Sequence, residues 1–500
     1  MSARAIMVQG TMSGAGKSLL VAGLCRVLAQ DGLRVAPFKS QNMALNSAIT
    51  VDGLEIGRAQ AMQAQAAGIE PSALMNPILL KPTTDTGSQV IVGGKARATM
   101  SAREYFRYRP TLREEVARAY NELASNFDVI VIEGAGSPVE LNLKRDDLVN
   151  MGMAKLAQAP VLLVGDIDRG GVFAQLVGTM ELLDADERAL VKATVVNKFR
   201  GDVTLFDEGV KILQEKTGVP VAGVLPYLDV DLDDEDSLSE RLTRREAAGL
   251  LDVAVVRLPK ISNFTDFAPL EAAEGVGLRY VSSVSELGMP DLLILPGTKA
   301  TMADLAWLRE SGLATAICRA ADSGAVVLGI CGGYQMLGLE LSDPLGMEGG
   351  GRMEGLGLLP MRTEFSREKR TVRTEGAFKE LLGPLAPLSG KPVSGYEIHM
   401  GRSQVQGPAL LSLGTPTDER SDDGCQQGTV YGCYLHGLFD REEACQALVS
   451  ALLVRKGLNP ASLRALDMEA YRQRNYDVLA DGIRANLDMG LVRRIIEEGP

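Results

Sequence analysis

Two short runs in this chain hold the residue types that chemistry needs. Residues 10–18, GTMSGAGKS, follow an apolar stretch and open a helical pattern, SLLVAGLCRVLA. Glycines there allow backbone N–H groups to turn inward, Lys17 can reach terminal phosphates, the Ser18 hydroxyl can ligate Mg²⁺, and the helix start favours an anion. Gly10, Thr11, Ser13, Gly14, Ala15, Gly16, Lys17 and Ser18 therefore form a candidate nucleotide cradle, with Thr11 where the usual spacing has its first glycine. The second run, VVLGICGGYQMLG, takes an apolar strand straight into Cys331, flanked by Gly329, Gly332 and Gly333. Small neighbours permit a sharp strand-to-helix turn, which presents a thiol at a helix N-terminus, where thiolate is favoured.

A thiol nucleophile needs a base, and only two histidines exist, His399 and His436. His436, in TVYGCYLHGLF, follows an alternating strand and precedes a glycine, so it is the candidate base. His399, in SGYEIHMGRS, stands as a substrate contact or a structural histidine. An acyl-transfer oxyanion wants two backbone donors. The Gly332 N–H supplies one, and Gly297 or Thr298 in LPGTKAT supplies the other. In the first half, Glu133 ends an apolar strand, at the sheet edge where a second Mg²⁺ ligand is needed. Asn197 ends another strand in VVNKFRGD, a place from which an amide can read an adenine edge.

These groups must be positioned by elements that the hydrophobic pattern makes visible. Nearly continuous apolar runs at 5–8, 34–38, 128–132, 161–164, 193–196 and 219–224 alternate with amphipathic stretches, and the alternation restarts at 253–258, 292–295 and 326–330. That rhythm predicts α/β domains with parallel sheets covered on both faces. A dense acidic run from Asp229 onward interrupts it and reads as a linker. The expected organisation is a phosphate-loop domain over 1–235, a linker over 236–250, a second α/β domain over 251–445 and a helical extension over 446–500. With 500 residues and a formal charge of −12, the chain is long enough for two cores and offers no broad basic surface for nucleic acid or anionic lipid. Six cysteines without a CxxC pair read as thiols of a reducing compartment, and no run approaches a membrane span, so a soluble cytoplasmic protein is expected.

The long phosphate loop resembles that of dethiobiotin synthetase and its relatives. GICGGYQMLG and YLHGLF are similar to the class I, cobyric-acid-type glutamine amidotransferase domain. With FKSQNMALNS, IVIEGAGSPVELNL, GDIDRGGVFA and VNKFRGD, nearly the whole chain resembles the cobyric acid synthase family of the cobalamin pathway. The resemblance implies ATP- and glutamine-dependent amidation of the b, d, e and g carboxylates of a corrinoid, adenosylcobyrinic acid a,c-diamide. It also places Lys39, Gln41 and Asn42 at the synthetase site. Other class I domains carry Glu two residues after the histidine; Leu438 stands there, so a Cys331/His436 dyad is implied. Asp166, Asp168 and Arg169 receive no role. Two rival readings are a cobyrinic acid a,c-diamide synthase, and a ParA-like or MinD-like ATPase switch, which leaves the cysteine elbow unexplained.

Overall fold

The computed structural model describes residues 3–83, 87–232, 249–415 and 420–500. Most of the expected linker, and the boundary expected at residue 235, lie outside them. The chain forms two compact units, one of Met1–Ala44, Leu54–Asp233 and Arg472–Pro500, the other of Leu45–Gly53 and Asp234–Tyr471. Two features depart from a simple tandem. A short piece of the N-terminal half, Leu45–Gly53, packs with the second unit. The expected C-terminal extension divides at Arg472, and its last part packs with the first unit.

In the first unit, six parallel strands lie in the order Val221–Pro226, Val191–Phe199, Val161–Asp166, Arg4–Gly10, Val129–Glu133 and Val35–Phe38. Their apolar runs are buried on both faces, as parallel strands under helices must be. Helix Lys17–Gln30 covers one face. The C-terminal helices Met468–Asn486 and Met489–Glu498 add Tyr476, Leu479, Ile483, Val492 and Ile495 to the same core. Gly23 admits this packing, because a Cβ there would lie 2.7 Å from Ile483. A smaller sheet, Gln41–Met43, Ile78–Pro82, Gly87–Val92 and Lys95–Ser101, was not expected from the sequence.

The second unit has its own sheet, ordered Val276–Val281, Leu251–Val256, Leu292–Leu295, Val326–Ile330, Val430–Cys433 and Cys425–Gln427, with only the last strand antiparallel. Beside it, strands Met361–Phe378 and Pro392–Val405 form a long antiparallel pair. A bridge between Tyr396 and His436 ties that pair to the end of the parallel sheet. Among the described residues, no helix is long and apolar enough to cross a membrane.

Candidate active sites

Strand Arg4–Gly10 delivers the phosphate loop, and the loop is built from glycine geometry. Gly14 and Gly16 have φ of 75° and 89°, and a Cβ on Gly16 would lie 2.2 Å from the Asn197 amide nitrogen. Lys17 Nζ donates to the Met12 and Gly136 carbonyls at 2.9 and 3.2 Å, which holds the ammonium over the loop. Asn197, expected at an adenine edge, touches the loop: its Nδ2 donates to Ala15 O at 2.9 Å, and its Oδ1 accepts from Lys198 N–H. Lys198 Nζ in turn donates to Gly14 O at 2.6 Å and pairs with buried Asp166 at 3.0 Å. Asp166 thus has a supporting role that its spacing did not reveal. Thr11 reaches Gln175 Oε1 at 3.0 Å.

Glu133 ends its strand beside the loop, fully inside the unit. Ser18 Oγ donates to its Oε1 at 2.8 Å, Lys39 Nζ to the same oxygen at 2.9 Å, and Gln63 Nε2 to Oε2 at 2.5 Å. Burial works against ionisation, but the Lys39 ion pair and the Gln63 and Ser18 hydrogen bonds outweigh it and hold the carboxyl below the usual range. Two hard oxygens, one anionic, therefore stand 2.8 Å apart at the phosphate loop, a donor set that fits Mg²⁺. Lys39 is engaged with Glu133, and Asn42 Nδ2 donates to Gln60 Oε1 at 2.9 Å. Gln41 lines a cavity of about 410 Å³, with Met43, Tyr105, Phe106, Arg109 and Ser137 among its other walls. Ala135 and Ser137, which bracket the carbonyl that Lys17 holds, place this cavity next to the loop.

In the second unit the elbow takes the expected form. Cys331 has φ 51° and ψ −108°, a strained backbone for a residue with a side chain, and its N–H is held by Cys433 O at 2.9 Å. The glycines are steric necessities: a Cβ would lie 2.7 Å from Tyr334 Cα at Gly329 and 2.0 Å from Leu295 O at Gly333. Cys331 is 8% exposed, with Sγ 3.6 Å from Ile398 O.

His436 is 1% exposed and stacks on Tyr396. Its Nδ1 lies 2.7 Å from Asp266 Oδ2, and the other Asp266 oxygen accepts from Gly437 N–H at 3.1 Å. Burial alone would lower the imidazole pKa; the Asp266 charge and hydrogen bond, joined by the interaction with Cys331, outweigh it and raise the value to about 10. Asn263, with φ 53°, brings its Nδ2 to 3.3 Å from His436 Nε2.

Gly297 lies against the imidazole, where a Cβ would be 3.1 Å from Cε1. The amide of the next residue, Thr298, is the one beside Gly332, 3.1 Å from where a Gly332 Cβ would sit. His399 has partners of its own. Its Nδ1 faces Gly401 O at 2.8 Å, its Nε2 faces Glu397 at 3.1 Å, and its ring stacks on Tyr434. Sequence reasoning missed Asp266 and Asn263. The signal available was ISNFTDF, an amide and an acid set within an apolar stretch.

An elbow thiol and an imidazole held by a carboxylate share one unit, and the other unit holds a braced phosphate loop. Residues 252–444 match the family described as a CobB/CobQ-like glutamine amidotransferase domain, and residues 6–238 match the CobQ/CobB/MinD/ParA nucleotide binding domain. Proteins named cobyric acid synthase are similar along their whole length. That of Lachnoclostridium phytofermentans is 52% identical, over 99% of this chain and 100% of its own. Those of Ruminiclostridium cellulolyticum and Citrobacter koseri are 53% and 50% identical, each over 99% of this chain and 98% and 99% of their own. The chain belongs to the cobyric acid synthase family. It is an amidotransferase ligase: the glutamine amidotransferase domain of the family is its second unit's sheet and elbow, and the nucleotide-binding domain is its phosphate-loop sheet. Membership in this family sets aside the reading as an ATPase switch.

Proposed function

We propose that this enzyme amidates the b, d, e and g carboxylates of adenosylcobyrinic acid a,c-diamide, drawing ammonia from glutamine at Cys331 and activating each carboxylate with ATP at the Gly10–Ser18 loop. The observation that carries this reading is the Cys331, His436 and Asp266 arrangement on the elbow. The Cys331 thiolate attacks the glutamine amide carbon, and the amides of Gly332 and Thr298 receive the oxyanion. The C–N bond breaks as the His436 imidazolium hands its proton to the departing nitrogen, leaving a thioester. His436, now neutral, takes a proton from water, which cleaves the thioester to glutamate and restores the thiolate.

In the other unit, a substrate carboxylate oxygen attacks the γ-phosphorus of ATP and ADP leaves. Ammonia then attacks the acyl carbon, and phosphate departs with the C–O bond. Lys17 holds the transferred phosphoryl group. Ser18 and Glu133 would hold Mg²⁺, which offsets phosphate charge when bound. The cavity beside the loop is the proposed seat for the corrinoid edge: Met43 and Phe106 offer apolar surface, while Gln41, Ser137 and Arg109 offer hydrogen bonds that suit both carboxylate and amide arms.

Mass spectrometry of the corrinoid product tests this reading, with glutamine or high ammonium as nitrogen source. Wild type is expected to carry the a,c-diamide through four amidations with either source. Cys331→Ala is expected to lose glutamine use by at least 10³-fold while keeping ammonium use within about twofold. Loss of both nitrogen sources in a folded variant would sink the two-site scheme.

A further inference from the structure

The cavity beside the phosphate loop lies wholly within the first unit, and it is lined by donors that the protein itself does not use. Helix Ala102–Tyr108 is fixed at its start by a capping box between Ser101 and Glu104, and it sets Tyr105 and Phe106 into the cavity wall. The Tyr105 hydroxyl donates to Gln41 Oε1. That bond occupies the oxygen of the Gln41 amide, so Nε2, which has no partner among the described residues, is the end left for a ligand. Arg109 opens the turn Arg109–Leu112 directly after the helix and is 9% exposed. Its one hydrogen bond among the described residues is long, from Nη2 to Leu143 O at 3.4 Å, and its guanidinium carbon lies 5.2 Å from the centre of the Phe106 ring. Its Nε is buried without a partner.

The other charges in the wall do not answer this guanidinium. Lys144, the second cation there, pairs with Asp184 at 2.8 Å and with Glu187 at 2.7 Å. Of the two acids, Asp147 accepts from the backbone N–H groups of Val149, Asn150 and Gly152, and Glu140 is exposed to solvent. Among the described residues no carboxylate pairs with Arg109. A guanidinium cannot shed its proton, so a buried one without a counter-charge still calls for an anion. Its planar fork matches a carboxylate through two parallel hydrogen bonds, whereas an amide offers it one oxygen and no charge.

We infer that Arg109, together with Gln41 Nε2, selects the carboxylate form of a substrate arm over its amide form. The arm seated there is one presented for activation, because Ala135 and Ser137 join the cavity to the loop that carries Lys17. Arg109 also offsets the repulsion between that carboxylate and the phosphates it must approach. Once ammonia has replaced one oxygen, the arm is neutral. It keeps a single oxygen for the donors, brings an NH₂ group for which Gln41 has no acceptor left, and no longer forms an ion pair with the guanidinium. Substrate therefore outcompetes product at the synthetase site. The inference rests on the corrinoid reading of this cavity given above.

The test is equilibrium binding of adenosylcobyrinic acid a,c-diamide, and of its tetra-amidated product, to the full chain without ATP, read by titration calorimetry. Wild type is expected to bind the a,c-diamide at least tenfold more tightly than the product. Arg109→Gln should weaken binding of the a,c-diamide at least tenfold and of the product no more than twofold. Arg109→Lys, which keeps the charge without the fork, should fall between wild type and Arg109→Gln for the a,c-diamide. Tyr105→Phe frees Gln41 Oε1 to turn toward the cavity and accept from an amide arm, so it should bind the product at least twofold more tightly than wild type does. ATP affinity within twofold of wild type shows that a variant is folded, and if Arg109→Gln fails that check, Arg109→Lys decides. Equal binding of the two corrinoids by wild type, or equal loss of both in the folded Arg109 variant, overturns the inference. Failure of wild type to amidate the a,c-diamide with ATP and ammonium would instead overturn the function proposed above.

Discussion

Asp266 changes what His436 can do. With its carboxylate against Nδ1, the ring's pKa is raised to about 10, so in the cycle proposed above it would start near neutrality as an acid for the leaving nitrogen. Asp266→Asn removes the charge and leaves burial, the largest influence on the ring, unopposed by it, so the His436 pKa falls. The amide also offers an N–H to Nδ1 and favours the wrong tautomer. Glutaminase is expected to drop by about 10²–10⁴, the usual weight of acid and base catalysis, with ammonium-dependent amidation unchanged. Stability supplies a second readout with a definite sign. A raised imidazole pKa stabilises the fold fully below the ordinary value near 6.5, and that contribution is lost as pH climbs toward 10. Urea unfolding should therefore show wild type losing more stability than Asp266→Asn between pH 6.5 and 10; equal losses would mean that Asp266 does not control the ring.

The elbow shows how an element enforces such geometry. Helix Gly332–Leu337 can start directly after strand Val326–Ile330 only because residue 333 has no side chain to meet Leu295 O, a backbone atom in the middle of the sheet. Gly333→Ala must displace helix or strand, at a cost of about 1–3 kcal/mol or more. That corresponds to a fall of at least about 2 °C in the melting of the glutaminase unit, with most glutaminase activity lost, as calorimetry and a glutamate assay would show. An unchanged melt would mean the elbow tolerates a methyl group. This part of the site was legible beforehand because it is local: an apolar run, a cysteine and its glycines are neighbours in sequence. The strands Leu292–Leu295 and Val326–Ile330 were equally plain, since buried parallel strands read as unbroken apolar runs. Asp266 was not, for it lies 170 positions from His436 and only the tertiary fold brings it there. The sheet begun by Gln41–Met43 escaped for a related reason: three polar or mixed residues carry no period, and pairing with Ile78–Pro82 makes them a strand.

At the scale of the whole molecule, sequence order and unit membership part company, and the C-terminus is where this has the largest energetic weight. Residues from Arg472 onward fold with the phosphate-loop unit although they follow the glutaminase unit in the chain. Tyr476, Leu479, Ala480, Ile483, Val492, Ile495 and Ile496 are each buried in the core that also holds Leu20, Val21 and Leu24 of the helix behind the phosphate loop. Full burial of one large apolar side chain stabilises by about 1.5–3 kcal/mol, and a domain's entire stability is about 5–15 kcal/mol. Removing residues 472–500 therefore takes away an amount comparable to the unit's whole margin, and also bares apolar surface on the Lys17–Gln30 helix. The truncated protein is expected to lose ATP-dependent amidation with either nitrogen source and to show no cooperative unfolding transition for the phosphate-loop unit. The elbow, His436 and Asp266 belong to the second unit, which should still unfold cooperatively in calorimetry. If instead the truncated protein binds ATP and amidates with ammonium at the wild-type rate, the terminal helices are ornamental and the core of the first unit is complete without them.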